Sequence, residues 1–271
     1  MNLASPSQVK AWCIENGFHP NRTLGQNFLV DRNALAAIAD AAGLVEPGTQ
    51  TLEVGPGLGA LTEELLGRGL AVCAVEKDPV LADRLANALG RHNSLMVVKG
   101  DALEFAKTGR ADAFPLMVSN LPYQAGTRIL LEIVTRIGCG GNAPETMVVL
   151  VQSEVADRLA AGPGSKTRGL AGVWVQLDYD VEPVRKIAAS CFWPRPEVDS
   201  TVVRLSRHHA NDSLDKPFRD LFHKLTKTAF EHRRKQLGST FKGLVQSTAR
   251  AEQLSNAEWL DFTKGLIDAY T

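Results

Sequence analysis

The sequence contains no long apolar stretch, and this absence argues against a membrane protein. Its apolar runs reach about six residues, as in Leu70–Val75, whereas a helix that crosses a bilayer needs about 20. We therefore predict no transmembrane helix. The segment Met1–Lys10 also lacks a basic stretch followed by an apolar one, so no secretory signal is expected and the predicted location is the cytoplasm.

Cysteine is scarce, which argues against metal and disulfide scaffolds. The chain has four cysteines, and they lie tens of residues apart: Cys13, Cys73, Cys139 and Cys191. None of them forms a C-x-x-C pair, so the spacing predicts neither a zinc site nor a disulfide framework. The six histidines form no metal-binding pattern either. We predict that the protein holds no metal.

Short β-branched runs alternate with helical patterns up to about residue 206, which is typical of βαβ units and a mostly parallel sheet. Seven strands are predicted, at Thr51–Gly55, Ala71–Glu76, Leu95–Val98, Leu116–Asn120, Met147–Gln152, Val173–Asp180 and Thr201–Leu205. Helices are predicted at Asn33–Ala42, Ala60–Leu66, Pro79–Leu89 and Thr127–Ile137. Only a loop, Glu182–Ser200, separates the last two strands, so we expect them to pair antiparallel.

After His208 the patterns are helical only. Apolar residues recur at helical spacing in one segment, at Phe218, Leu221, Phe222, Leu225 and Ala229. Further on, Ser255 and Glu258 form a capping box that opens a terminal helix. We therefore predict a sheet domain over residues 1–207 and a small helical domain over residues 208–271.

Closely spaced glycines follow the first predicted strand, in the run Glu53-Val54-Gly55-Pro56-Gly57. Glycine there lets the backbone approach a ligand closely, and Glu76, at the end of the next strand, could accept hydrogen bonds from both ribose hydroxyls of a nucleoside. A nicotinamide enzyme would satisfy this pattern, and so would a tight turn beside a solvated Glu76. Asp101 follows the third strand and could accept from an adenine amine, although a helix N-cap is the ordinary use of such a residue.

The fourth strand leads into Asn120-Leu121-Pro122-Tyr123. Proline pushes Leu121 into an extended conformation, which can leave its carbonyl free. The Asn120 side-chain oxygen and the Leu121 carbonyl could then accept the two hydrogens of an exocyclic amine, while Tyr123 stacks on the base. Taken alone, the segment could equally be an ordinary turn that uses Asn and Pro for their turn propensity.

These motifs together resemble the S-adenosylmethionine-dependent ribosomal RNA adenine dimethyltransferases, the KsgA family. The likeness runs in order over nearly the whole chain, through residues 25–29, 53–57, 120–123, 152–159, 192–200 and 233–235. It implies an α/β fold of the class I methyltransferase type, with a Rossmann-like, mostly parallel sheet of seven strands and a small all-helical C-terminal domain.

The resemblance also implies roles for single residues. Residues expected to bind S-adenosyl-L-methionine are Gln26, Asn27, Leu29, Gly55, Gly57, Glu76, Lys77, Asp101, Ala102 and Asn120. Among them, Asn27 and Leu29 would close over the cofactor, Gly55 and its neighbours would hold its methionine part, and Glu76 would hold its ribose. The target adenine would enter at Asn120, Leu121, Pro122 and Tyr123, with Phe192 covering its other face.

The implied reaction is methyl transfer to the N6 amines of two adjacent adenosines in the 3′-terminal hairpin of small-subunit ribosomal RNA. The implied partner is the small-subunit precursor, and the protein is expected to act as a monomer. Two alternatives stay open: a large-subunit rRNA methyltransferase of the antibiotic-resistance type, and a mainly non-catalytic ribosome assembly factor. A nicotinamide oxidoreductase is disfavoured by Asn120–Tyr123.

The chain lacks net charge, with 30 Lys and Arg against 30 Asp and Glu, but the zero is a cancellation. Residues 1–183 carry 15 basic and 20 acidic side chains, whereas residues 184–271 carry 15 and 10. A basic run in the helical part is predicted to contact RNA phosphates through Lys224, Lys227, Arg233, Arg234 and Lys235, which we call the basic patch. Without the resemblance, a solvated helix face would be the safer interpretation.

Three segments depart from the family pattern. Members commonly carry several basic residues before Gly25, where this chain has Arg22 alone. The segment Lys166-Thr167-Arg168-Gly169 lacks the usual aromatic residue before the glycine, because Arg168 stands there. The segment Gln124-Ala125-Gly126, directly after Tyr123, is also less usual. Substrate positioning is therefore expected to differ in detail from that of the family.

Overall fold

A computed structural model describes residues 1–21, 25–138 and 140–270. The helices are α1 Pro6–Glu15, α2 Arg32–Asp40, α3 Ala60–Gly67, α4 Pro79–Leu89, α5 Ala102–Lys107, α6 Gly126–Val134, α7 Ser153–Ala160, α8 Leu170–Val175, α9 Lys216–Glu231, α10 Leu237–Thr240, α11 Asn256–Lys264 and α12 Ile267–Tyr270. The strands are β1 Phe28–Leu29, β2 Gln50–Val54, β3 Ala71–Glu76, β4 Leu95–Lys99, β5 Leu116–Asn120, β6 Thr146–Gln152, β7 Tyr179–Ile187, β8 Phe192–Trp193 and β9 Ser200–Arg207. No helix in this described part is both long and apolar enough to span a membrane.

The central sheet has seven strands in the order β4-β3-β2-β5-β6-β9-β7. Strands β4, β3, β2, β5 and β6 pair in parallel, and β9 runs antiparallel to both β6 and β7. The chain turns to opposite sides of β2 when it adds β3 and then β5, so the strand order reverses between β2 and β5. Ligands bind at such a switch point in open α/β sheets, outside the carboxyl ends of the strands.

Most predicted elements of the sheet region are confirmed, because their sequences carry a pattern and a start signal together. Helix α4 covers the predicted Pro79–Leu89: Asp78 caps it by accepting from the Val80 amide at 2.9 Å, and its face Leu81, Ala82 and Leu85 is fully buried. The expected antiparallel pairing at the sheet's end also forms, in β7 and β9.

The predicted strand Val173–Asp180 is wrong. Its first half belongs to helix α8, and the strand β7 begins only at Tyr179. A short apolar run does not distinguish a buried helix from a buried strand. Here Val173 and Leu177, four residues apart, both pack against the C-terminal helices at Phe222, as one face of a helical turn does.

The predicted loop Glu182–Ser200 is also wrong in part, since it contains the rest of β7 and all of β8. Strand β7 lies at the sheet edge, and residues 182–186 are exposed there. Pro183 stands next to an irregularity in the register, which is typical of an edge strand. With no buried face in that stretch, the apolar alternation that marks a strand is missing.

The helical part follows the predicted pattern. Helix α9 buries Phe222, Leu225 and Ala229, and α11 begins at the capping box, in which Ser255 accepts from the Glu258 amide at 3.2 Å. The predicted boundary between residues 207 and 208 falls directly after β9, and α9 begins at Lys216. The division into two domains stays a prediction.

A buried ion pair joins the helical part to the sheet region. Arg219 on α9 donates to both carboxylate oxygens of Asp178, at 2.8 and 3.0 Å, and the residues are 1% and 3% exposed. Breaking such a pair strands a charge in the interior, which costs far more than breaking an exposed one.

We therefore expect Asp178→Ala to lower the free energy of unfolding by about 3–5 kcal/mol, as measured by urea denaturation. The matched control is Asp220→Ala, which removes the exposed Lys216–Asp220 pair at 2.5 Å and should cost less than about 1 kcal/mol. Equal losses in the two variants would contradict this account of the interface.

Candidate functional site

The turn between β2 and α3 brings backbone to the switch point of the sheet. Gly55 and Gly57 have φ of 67° and 58°, in the left-handed region that favours glycine. A Cβ on Gly57 would also lie 3.2 Å from the Phe28 ring, closer than ordinary contact. The glycines therefore form a cradle that side chains would fill.

Glu76 ties this turn to the end of β3. Its two carboxylate oxygens accept hydrogen bonds from the backbone amides of Gly57, at 3.0 Å, and Asp78, at 2.8 Å. The side chain is 6% exposed, and burial raises its pKa while the backbone hydrogen bonds act in the opposite direction. Each oxygen retains a lone pair that can accept from a ligand hydroxyl.

Asp101 has the N-cap role predicted for it, and its predicted contact with the adenine of the cofactor stays a prediction. As the N-cap of α5 it accepts from the Leu103 amide at 2.8 Å, and it also lies in the wall of the cavity described below. Its other oxygen accepts from the Lys77 ammonium at 2.9 Å, and this hydrogen bond is the main reason that the pKa of Asp101 is lowered. Ala102, the first residue of α5, is buried beside it.

The N-terminal segment covers the same edge of the sheet. Gln26 donates to Asp78 at 2.9 Å, and Leu29 is held by the two-stranded sheet of β1 and β8. Leu3, which precedes α1, and Val9 on α1 also line the wall, a contribution that the sequence interpretation missed. Proline at the first helical position, followed by Val9, Trp12 and Cys13 at helical spacing, is the signal that would have found this helix.

These elements enclose a cavity of about 350 Å³, within the roughly 300–1,000 Å³ of small-ligand sites. All ten predicted cofactor residues line it: Gln26, Asn27, Leu29, Gly55, Gly57, Glu76, Lys77, Asp101, Ala102 and Asn120. Each part of S-adenosylmethionine has a matching feature here. The glycine cradle suits the methionine part, the buried carboxylate beside it suits the ribose, and the second carboxylate, at the next strand end, suits the adenine. The residues present therefore fit this cofactor.

The sequence interpretation gave no role to Glu53, which also lines the cavity. It is 1% exposed and accepts a hydrogen bond from the Thr62 hydroxyl at 2.7 Å. Burial raises its pKa to about 8; the Thr62 hydrogen bond opposes this shift and the nearby Glu76 charge adds to it. At neutral pH the side chain is therefore mostly protonated.

The segment after β5 forms the other wall of the cavity. Asn120, Leu121, Pro122 and Tyr123 all line it, and the Leu121 amide is fixed by a 3.1 Å hydrogen bond to the Leu150 carbonyl. Within residues 1–21, 25–138 and 140–270, neither the Asn120 side chain nor the Leu121 carbonyl takes part in a hydrogen bond. Two acceptors are thus available at the place predicted for the target amine.

Tyr123 and Phe192 pack together, but only Tyr123 reaches the cavity. The Tyr123 hydroxyl lies 2.6 Å from the Ser200 hydroxyl, and its ring meets Phe192 edge-on with 6.5 Å between centroids. Phe192 is 3% exposed, pairs with Leu29 across β1 and β8, and is not among the cavity-lining residues. Its ring contacts the ring of Tyr123, and its expected role of covering the target adenine stays a prediction.

The side chains of the basic patch differ in their exposure to solvent. Lys224, Lys227, Arg234 and Lys235 are exposed, whereas Arg233 is half-buried. Arg233 donates to the Lys166 carbonyl at 2.5 Å and lies 3.6 Å from the Glu252 carboxylate. Arg22, the basic residue just before Gly25, lies outside the described residues. In the part of the chain that is described, no group of three or more His, Cys, Asp or Glu could hold a metal.

The sequence matches the family model described as ribosomal RNA adenine dimethylase over residues 17–260. It is 35% identical to the ribosomal RNA small subunit methyltransferase A of Geobacillus thermodenitrificans, with 94% of this chain and 88% of that protein covered. The protein of the same name from Nocardia farcinica is 36% identical, with 96% and 89% covered.

Solved structures agree in fold. A dimethyladenosine transferase from Plasmodium falciparum superposes with a TM-score of 0.71 at 23% identity, covering 87% of this chain and 97% of that one. The 23S rRNA methyltransferase ErmE gives 0.65 at 26% identity, covering 89% and 99%. These matches confirm the resemblance and the predicted fold class.

The raised pKa of Glu53 predicts how stability depends on pH. Between about pH 4.5, where a free glutamate loses its proton, and pH 8, the folded protein holds a proton that the unfolded chain releases. This contribution to stability is therefore complete below pH 4.5 and is lost as the pH rises to 8.

Glu53→Gln removes the titration and keeps an oxygen for Thr62. We expect the free energy of unfolding of the variant, relative to that of the wild type, to rise by about a few kcal/mol as the pH increases across this window. Urea denaturation at several pH values measures it, with Glu63→Gln, an exposed residue of α3, as control. A difference that stays constant with pH would contradict the assignment.

Proposed function

Because the chain belongs to the ribosomal RNA adenine dimethylase family, we propose that it dimethylates the N6 amines of two adjacent adenosines in the 3′-terminal hairpin of small-subunit ribosomal RNA during subunit maturation. The observation that carries the proposal is the pair of available acceptors, on Asn120 and Leu121, in the wall of the cofactor cavity. Relatives at 35% and 36% identity are named for the small subunit, which favours this substrate over large-subunit RNA.

The protein is an S-adenosyl-L-methionine-dependent methyltransferase. When bound, this cofactor supplies a methyl group on a positively charged sulfur. The sulfur is a good leaving group, because it becomes a neutral thioether when the methyl group is transferred. In our proposal Glu76 holds its ribose, Asp101 its adenine, and Gly55 and Gly57 its methionine part. The remaining cavity residues, Gln26, Asn27, Leu29, Lys77 and Ala102, close around it.

The protein's main task is to position and activate the amine. An aromatic amine delocalises its lone pair into the ring, which makes it planar and weakly nucleophilic. The Asn120 oxygen and the Leu121 carbonyl would accept its two hydrogens in directions that favour the pyramidal form as it develops. No strong base is needed, since the amine becomes acidic once its lone pair has formed the new bond. One N–H remains after the first transfer, so the cycle can repeat.

Tyr123 offers its ring to the target base, because its hydroxyl is already bonded to Ser200. A base can reach this ring only after it leaves its stack, which is easiest in a loop or a partly assembled subunit. The exposed members of the basic patch, Lys224, Lys227, Arg234 and Lys235, would hold the phosphates of the same RNA.

The proposal includes the setting in which the enzyme works. Its partner is the precursor of the small ribosomal subunit, and it acts on it in the cytoplasm as a monomer. One chain supplies both the cavity, within residues 1–207, and the basic patch, within residues 208–271, which supports a single-copy enzyme with two domains of different tasks.

We expect Asn120→Ala to leave the dissociation constant for S-adenosylmethionine nearly unchanged and to lower methyl transfer to small-subunit RNA by roughly 100-fold or more. The variant removes an acceptor that acts on the amine as it reacts. Calorimetric binding of the cofactor and incorporation of labelled methyl groups measure the two quantities.

The control is Asn93→Ala, the same change in an exposed turn, which should leave both quantities at wild-type levels. Wild-type turnover in Asn120→Ala would exclude Asn120 from the reaction.

A further inference from the structure

The segment between α7 and α8, residues 162–168, is fastened to the helical part of the chain by three hydrogen bonds. The Gly164 amide donates to the Glu252 carbonyl at 2.8 Å, Arg233 donates to the Lys166 carbonyl at 2.5 Å, and Arg168 donates to the Asn256 side chain at 2.8 Å. We call this segment the 162–168 loop. Its attachments come from three different places along the helical part, so the loop's position is fixed to that part.

Arg168 makes the most deeply buried of these attachments. It is 1% exposed and also donates to the Ala161 carbonyl at 2.7 Å and the Gln176 side chain at 3.0 Å. No ion pair to it occurs within the described residues, and burial lowers its pKa. This arginine stands where the family usually has an aromatic residue, and its hydrogen bonds give the loop a polar anchor across the two parts of the molecule.

The loop presents a cation at the edge of the basic patch. Lys166 is exposed, and in the described part of the chain its ammonium group forms no ion pair or hydrogen bond. Arg233, to which its carbonyl is bonded, has its own charge directed at Glu252. The next two residues, Arg234 and Lys235, are exposed. Lys166 therefore extends the row of available cations from the helical part onto the sheet region.

The loop also carries neutral groups of the kind that bind phosphates. The hydroxyls of Ser165 and Thr167, on either side of Lys166, lie 2.7 Å from each other. Serine, threonine and lysine side chains are common phosphate contacts in nucleic-acid complexes. A loop that is already fixed loses little conformational entropy when it binds, which favours affinity.

Along the chain, the 162–168 loop lies between the Asn120–Tyr123 segment and the helical part. Leu150 of β6 binds the Leu121 amide, and α7 begins directly after β6 and ends just before the loop. With eight residues, α7 spans about 12 Å. The chain therefore leads from the strand that binds the Leu121 segment, through α7, to a loop that is hydrogen-bonded to the helical part carrying the basic patch.

We propose that Lys166 is a phosphate contact for the RNA substrate and that Arg233 is a positioning residue, which holds the 162–168 loop for it. This inference rests on the proposed function. It assigns the RNA a second contact element outside the basic patch and moves Arg233 from direct contact to support.

The test measures kcat and KM for under-methylated small ribosomal subunits at salt concentrations from about 50 to about 200 mM. Lys166→Gln should raise KM several-fold, lower the slope of log KM against log salt by about 1, and leave kcat and the dissociation constant for S-adenosylmethionine unchanged. The control is Lys107→Gln, another exposed lysine, which stands at the far end of α5 from the cavity.

Arg233 is tested through its coupling to Lys166. If Arg233→Gln acts by releasing the loop, adding Lys166→Gln to it should raise KM much less than the product of the two single effects. Effects that multiply independently would overturn the positioning role. A Lys166→Gln enzyme whose KM and salt slope equal those of Lys107→Gln would overturn the phosphate contact while leaving the proposed function intact. A wild-type enzyme that labels no small subunit would overturn both.

Discussion

The parallel register around β2 is the constraint on which the site depends. Strand β2 pairs with β3 on one side and with β5 on the other. The three strands therefore end at the same edge of the sheet, at Val54, Glu76 and Asn120. Turns that are far apart in the chain thereby meet in one cavity. The hydrogen bond from the Gly57 amide to Glu76 then locks the first turn to the second strand. A shift in the register of these strands would move Glu76 and the glycine turn away from the Asn120–Tyr123 segment.

The distribution of charge follows from the same architecture. Among the described residues, three carboxyl groups, on Glu53, Glu76 and Asp101, line the cavity together with one cation, Lys77. Buried Glu53 holds its proton, and the partly exposed Asp101 pairs with Lys77. The basic groups collect instead in the helical part. The zero net charge of the chain is thus the sum of an acidic region, residues 1–183, and a basic region, residues 184–271, and the proposed function places the RNA phosphates on the basic one.

The sequence predicts those cavity residues well that follow a strand with a clear apolar pattern. Glu76, Asp101 and Asn120 stand directly at or after such strand ends, and strand direction alone then places them together. The interpretation fails where the physical signal is three-dimensional. Val173–Asp180 is apolar in either structure, and only the neighbouring C-terminal helices determine that its first half is helical. Arg233 belongs to a basic run, but its bond to the Lys166 carbonyl depends on a loop 67 residues earlier.

The most direct measurement of the central claim is the fate of a labelled methyl group. Under-methylated small and large ribosomal subunits are incubated separately with the protein and S-adenosylmethionine labelled on its methyl group, and the RNA is then digested and its nucleosides identified. The account predicts that label enters the small subunit alone and is recovered as N6-dimethyladenosine from the 3′-terminal hairpin. Label confined to the large subunit would contradict it.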